Sequence, residues 1–229
     1  MPTTQFYPDA DTESTSVDGE ADRDLSGGSD STWSDVRDGT GTGSDDSNST
    51  LQASVEAGDP DSDTWRAIFR GILLFDTSSI GSGATIDSAT LYLNLQTTTN
   101  DFGGGLDVVG STPGSNTLLT STDYGQVGTT QYATRVNISS LTTGAYNSFA
   151  LNATGLANID PTGITKLGLR ISWDTDDSPP TWIDLGLDLV MVWSADRVNT
   201  PDQRPYLEVT YTPPAAATGA STLSLMGVG

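Results

Sequence analysis

Two apolar runs joined by a polar, glycine-containing turn between Arg70 and Leu95 constrain this chain more than any other stretch. In the second run Ala89, Leu91, Leu93 and Leu95 alternate with Thr90, Tyr92, Asn94 and Gln96, the period of two that marks a strand with one buried face. The first run, Ile68 to Phe75, is apolar on both parities. That pattern predicts a central strand covered on both sides.

Strand signals continue on either side of this pair. Residues 8 to 64 are rich in Asp, Ser, Thr and Gly, yet Val17, Leu25, Trp33, Val36, Leu51 and Val55 punctuate them at a spacing that suits short strands between long loops. Leu106 to Val109, Thr134 to Ile138 and Ser148 to Leu151 read as further short strands, and residues 152 to 159 as a short helical turn held back by Gly155. Leu167, Leu169, Ile171 and Trp173 share one parity against a wet face of Lys166, Gly168, Arg170 and Ser172. Ile183, Leu185, Leu187, Leu189, Met191 and Trp193 form a longer alternating series, opposed by Asp184, Gly186, Asp188, Val190 and Val192. It predicts one long strand, or two joined by a bulge at Gly186. Leu207, Val209 and Tyr211 give the last strand, and Pro213-Pro214 ends the domain, because proline cannot donate to a ladder. About ten strands and almost no helix predict an all-β antiparallel sandwich or barrel. The expected organisation is a β-sandwich over residues 1 to 212, a Pro/Ala-rich linker over 213 to 221 and an apolar tail over 222 to 229.

Charge and composition exclude several classes of function. The formal net charge is −21, from 30 acidic against 9 basic residues. Nucleic-acid and anionic-membrane partners are therefore not expected, since both are held by Lys and Arg displacing counterions. No run is long enough to span a bilayer as a helix. Without cysteine or histidine, disulfides, zinc sites and Ser-His-Asp hydrolysis are out of reach. The opening Met1-Pro2-Thr3-Thr4-Gln5 has neither a basic n-region nor an apolar core, so a secretory signal is not expected.

The order Phe75-Asp76-Thr77-Ser78-Ser79-Ile80, a Gly-rich turn, then Ala84-Thr85-Ile86-Asp87-Ser88-Ala89-Thr90-Leu91-Tyr92-Leu93 resembles the signature of DNRLRE-type β-sandwich domains. The likeness extends to Thr15-Ser16-Val17-Asp18-Gly19, to the segment from Trp33 to Gly39 and to Leu207-Glu208-Val209-Thr210-Tyr211. The resemblance implies a jelly-roll-like, non-catalytic module, similar to carbohydrate-binding modules, of the kind found in secreted surface proteins and phage structural proteins. In the residues themselves, Asp76 is placed to cap the strand end as an Asx-turn to Ser78 or Ser79.

Three groups of residues are candidates for binding. Trp33, Trp65 and Trp182 stand at loop edges, where a flat apolar ring can stack on the C–H face of a sugar while Asp and Asn hold its hydroxyls. Trp173 and Trp193 fall on the apolar parity and are assigned to the core. Asp59, Asp61 and Asp63 are spaced like the start of a calcium loop, although Arg70 stands where that loop needs its glutamate, and Asp174, Asp176 and Asp177 form a second acidic cluster. Asp9, Asp11 and Glu13 form another. No cofactor is required, and the expectation weighs structural calcium against solvated loop charge. In the tail, Leu223, Leu225, Met226 and Val228 are candidates for docking a neighbouring subunit by strand addition.

No local pattern singles out a glycosidase pair of carboxylates, so an enzyme is not expected. The primary expectation is a structural and attachment protein on a phage virion surface, a capsid decoration or a neck or tail appendage. It would be made in the host cytoplasm, act as an oligomer among other virion subunits and also hold host-surface glycans. The alternative is a free, extracellular carbohydrate-binding module of a secreted or cell-surface protein.

Overall fold

The computed structural model describes residues 1–26, 31–58, 63–197 and 199–215. Thirteen strands run through them: β1 (Thr3–Phe6), β2 (Asp18–Asp24), β3 (Gly43–Asp45), β4 (Thr50–Ala57), β5 (Trp65–Asp76), β6 (Thr85–Asn100), β7 (Gly105–Ser111), β8 (Val127–Gln131), β9 (Val136–Asn137), β10 (Tyr146–Ala150), β11 (Ile164–Ile171), β12 (Leu187–Trp193) and β13 (Tyr206–Thr212). The α-helices among the described residues are three short ones, α1 (Trp33–Asp38), α2 (Ala153–Ala157) and α3 (Ser172–Asp176).

The alternating run that dominates the sequence becomes β6, and at 16 residues it serves two sheets. Its first part lies between β13 and β10, and β1 lies beyond β13. From Leu95 onward it pairs instead with β12, which leads through β4 to β5. Along β5 one edge carries β2, with β3 outside it. The other edge is shared, because β4 takes Trp65 to Phe69 while β11 takes Gly71 to Asp76 and leads on to β7, β8 and β9. Gly71 stands where the two partners part. A Cβ there would lie 3.1 Å from Leu51 and 3.2 Å from Leu169, so a side chain would require those two leucines to shift by a few tenths of an ångström. All pairings are antiparallel.

Ala89, Leu91, Leu93 and Leu95 of β6 are buried, as their parity predicts, with Leu207, Val209, Phe149, Ile72 and Phe75 in the same core. Each of these Leu, Val, Ile and Phe side chains contributes about 1.5–3 kcal/mol by leaving water. The fold is thus the expected all-β antiparallel sandwich. Its strands outnumber the expected ten because several, such as β3 and β9, are only two or three residues long. Asp76 accepts from the Ser78 N–H at 3.0 Å, the expected Asx-turn. Asn152 caps α2 by accepting from the N–H groups of Thr154 and Gly155.

Three strand expectations are corrected. Trp33 to Asp38 is a helix, because Thr32 and Asp35 form a reciprocal capping box ahead of it. In β12 the buried parity is Asp188, Val190 and Val192, while Leu187, Leu189, Met191 and Trp193 are half-exposed, so the face expected to be wet is the inner one. Trp193 is therefore not core, and the Arg197 guanidinium sits 3.2 Å above its ring centroid. The chain also leaves β11 at Ile171, so Trp173 belongs to α3 and is half-buried, and Arg170 on the supposed wet face is 3% exposed.

β2 carries two acids in low-dielectric surroundings. Asp18 is buried and accepts from the Ala195 N–H at 3.0 Å. Half-buried Glu20 accepts from the Gln52 N–H at 2.5 Å. Burial pushes the Asp18 carboxyl well above its usual range and the Glu20 carboxyl to about 8. A carboxyl with a raised folded value binds its proton more tightly in the folded state. The stabilisation from Glu20 is therefore complete below its unfolded value of 4.5 and lost as pH rises through about 8. Urea midpoints are expected to fall across that window, and Glu20→Gln, neutral at every pH, is expected to flatten the fall. A variant with the wild-type slope would assign the titration to another group.

Candidate functional site

The first sheet, formed by β1, β13, the first part of β6 and β10, presents its polar parity outward, and tyrosines gather there. Tyr92 of β6 and Tyr206 of β13 are directly opposite in register, and their rings stack with centroids 4.6 Å apart and planes 13° from parallel. Tyr146 of β10 pairs in register with Asn94. Its ring meets Tyr206 edge-on at 5.2 Å, and its hydroxyl donates to the carbonyls of Asp202 (2.7 Å) and Arg204 (2.8 Å). Tyr7, just past β1, brings a fourth ring to within 5.6 Å of Tyr206 and is 37% exposed. Four of the chain's seven tyrosines thus share one surface.

Polar groups frame these rings. The Tyr7 hydroxyl donates to Gln5 Oε1 at 2.8 Å, and the Gln5 amide donates to Glu208 at 3.1 Å. The Arg204 guanidinium stands 5.2 Å from the Tyr7 centroid. Asn94 Oδ1 and Gln203 Oε1, in the strand and turn beside Tyr146, are buried acceptors without a hydrogen-bond partner among the described residues. Burial, and then the neighbouring Tyr206 and Tyr7, push the Tyr146 hydroxyl up to about 12, and burial also raises that of Tyr206. Both phenols therefore keep their protons and remain hydrogen-bond donors through the physiological range. Because Tyr92 and Tyr206 cover one face of each other, the cluster offers ring edges and outer faces beside hydroxyl, amide and carboxylate groups, a mixed apolar and polar surface that a pyranose can match with its own C–H and O–H groups.

The predicted tryptophans do come together, at the end of the sandwich where β5 begins. Trp33 meets Trp65 edge-on at 4.9 Å, Phe102 lies 5.8 Å further on, and Trp182 donates its indole N–H to the Thr64 carbonyl at 2.9 Å. Trp65 is only 3% exposed, which corrects its assignment to a binding edge: as the first residue of β5 it is part of the core. Trp33 is half-buried against it, with its indole N–H donated to Asp177 at 3.1 Å.

The second acidic cluster meets arginines, not a shared cation. Asp174 is fully buried between Arg70 (2.7 and 2.8 Å) and Arg170 (2.6 and 2.8 Å), each held by two hydrogen bonds. Asp176 pairs with Arg135 at 2.8 Å, and Asp177 lies 3.4 Å from Arg37. Among the described residues no three acidic side chains converge on a point that would hold a metal ion. Asp63 is described, with φ of 62°. Asp59 and Asp61, and the tail candidates Leu223, Leu225, Met226 and Val228, lie outside the described residues.

Sequence reasoning passed over the tyrosines, although Tyr92 and Tyr206 both stand on the polar parity of their strands. An aromatic ring alternating with buried leucines was the available signal.

One solved structure similar to this chain is a carbohydrate-binding module of the β-sandwich superfamily, at 15% identity and a TM-score of 0.26. The match covers 63% of this chain and 52% of that one, so the chain spans about half of its length. No protein-family model matches the chain, the DNRLRE-type domains included. The comparison with curated proteins also finds no match.

Proposed function

We propose that the protein is a non-catalytic attachment module that lays a glycan chain across the tyrosine face of its first sheet. The observation that carries this reading is the cluster of four tyrosines on the outward parity, in which Tyr92 and Tyr206 stack face to face and Tyr7 and Tyr146 flank Tyr206. With a net charge of −21, the surface repels polyanions, so the preferred glycan is neutral. In this reading the surface that carries the module is a virion or a cell envelope, where repeated copies add avidity.

Affinity electrophoresis through gels containing neutral polysaccharides tests it. The wild-type chain is expected to be retarded by at least one of them, and Tyr206→Ala to weaken that binding by about tenfold, the scale of one lost aromatic stacking contact. Tyr206→Phe keeps the ring and is expected to stay close to wild type. Migration unaffected by every polysaccharide, or full retardation of Tyr206→Ala, would overturn the reading.

A further inference from the structure

We infer that a recess between β7, β8 and the end of α2 is a subsite for one neutral monosaccharide unit, an inference that rests on the carbohydrate reading above. The recess holds about 190 Å3 and among the described residues no charged one lines it, although the chain carries 39 charged residues (30 acidic plus 9 basic). A uronate or an amino sugar would find no counter-ion there, whereas a neutral polyol needs none.

The walls are built from a ring and two glycines. A Cβ on Gly110 would come within 2.8 Å of the Tyr132 ring carbon Cζ, and one on Gly128 within 3.2 Å of the Gly110 carbonyl oxygen. Bare backbone therefore lets the ring lie close and keeps the recess open. The Tyr132 hydroxyl donates to Asn158 Oδ1 at 3.3 Å, and the Asn158 amide donates to the Lys166 carbonyl at 3.1 Å. This relay fixes the ring through the residue that ends α2. Across the recess Thr112 donates to Gln126 Oε1 at 3.1 Å. That contact orients the Gln126 amide, whose NH2 group has no hydrogen-bond partner among the described residues and is placed to donate to a hydroxyl oxygen.

Size selects the ligand further. The volume falls below the roughly 300–1,000 Å3 of sites that take drug-sized molecules, so the recess accommodates a single ring. An aromatic ring, an amide donor and hydroxyl groups in an uncharged setting are features that recognise a neutral pyranose. No tyrosine of the first-sheet face lines it, so the two sites are separable by mutation.

Isotope-labelled full-length chain should be titrated with glucose, galactose, mannose and N-acetylglucosamine while the amide signals of Gly110 and Gly128 are followed by NMR. At least one sugar is expected to move both signals saturably. Gln126→Ala, at an exposed position where the fold is not at stake, is expected to weaken that sugar by up to about tenfold, the scale of one hydrogen bond. Tyr206→Ala is expected to leave the same titration unchanged. If none of the four sugars moves these signals, or Gln126→Ala binds as tightly as wild type, the subsite is refuted. Should polysaccharide retardation persist in that case, only the subsite falls; should both fail, the carbohydrate reading falls with it.

Discussion

Asp174→Ala is expected to lower the stability of the fold by about 3–5 kcal/mol, the range for leaving buried ionic partners uncompensated. Arg70 and Arg170 are each 3% exposed, and both direct two N–H groups at this one carboxylate. Without it, two guanidiniums face each other in the interior, with Arg37 beside them, 3.8 Å from the present position of Asp174 Oδ1. The damage extends beyond the pair. Arg70 also donates to the carbonyls of Tyr124 and Arg37, and Arg170 to those of Val127 and Gly128, so the carboxylate orients the groups that tie β5 and β11 to α1 and to the start of β8. Asp174→Asn keeps the shape but turns an NH2 toward donors, and is expected to fall between Ala and wild type. Burial alone would raise the Asp174 carboxyl; the Arg70 and Arg170 guanidiniums more than reverse this and hold it at about 2. Its contribution is therefore present above the unfolded value of 3.8 and lost as pH falls toward 2. Urea titrations near neutral pH and below 3.8 should show an acid limb in wild type that Asp174→Ala lacks. A loss under about 1 kcal/mol would mean that the backbone carbonyls alone neutralise the arginines.

The same residues show where the sequence was readable. β6 was legible because a period of two over many residues has no other regular explanation, and Asp76 and Asn152 because a side chain that caps its own neighbours acts within a few positions. β12 was misread for an equally local reason. Its apolar residues fall on both parities, and counting Ile183 and Leu185 with the outer one tipped the balance. Those two belong to a loop, closed by the Gly186 N–H donating to the Ile183 carbonyl at 2.9 Å, with Leu185 at φ of 54°. Polarity was then taken as a sign of water at Asp188 and Arg170, whereas both are buried and hydrogen-bonded to partners distant in the chain or on another element. The tyrosine face needed one more step than periodicity offers. Its outward parity is written in β6 and β13, but the stacking of Tyr92 on Tyr206 follows only from the pairing of those strands. Tyr7 and Tyr146 join only because β1 and β10 flank them. Tryptophan was weighed by residue type alone, and Trp65 shows the result: a ring at a loop edge in sequence becomes core once it opens a central strand.

Asp188→Ala is expected to destabilise the protein by at least about 3 kcal/mol, because it orphans three buried or half-buried donors at roughly 1–3 kcal/mol each. The carboxylate accepts from the backbone N–H groups of Phe102 (2.9 Å) and Gly104 (2.8 Å) and from the Trp173 indole (2.9 Å). It thereby pins the turn after β6 and the first residues of α3 onto β12. Burial raises the Asp188 carboxyl despite those bonds, so the site tolerates loss of charge better than loss of the acceptor, and Asp188→Asn is expected to be milder than Ala. The same junction can be broken from the opposite side. A Cβ on Gly104 would collide with Asp188 Oδ2 and come 2.8 Å from Trp173 Nε1, so Gly104→Ala must displace the carboxylate from its donors. Two lesions that break one network cannot each exact their full cost twice. The double variant is therefore expected to lose distinctly less than the sum of the two single losses, as measured by urea denaturation with unchanged m-values. Strict additivity would show that Asp188 and Gly104 act independently, and the turn would then be held by packing instead of by this carboxylate.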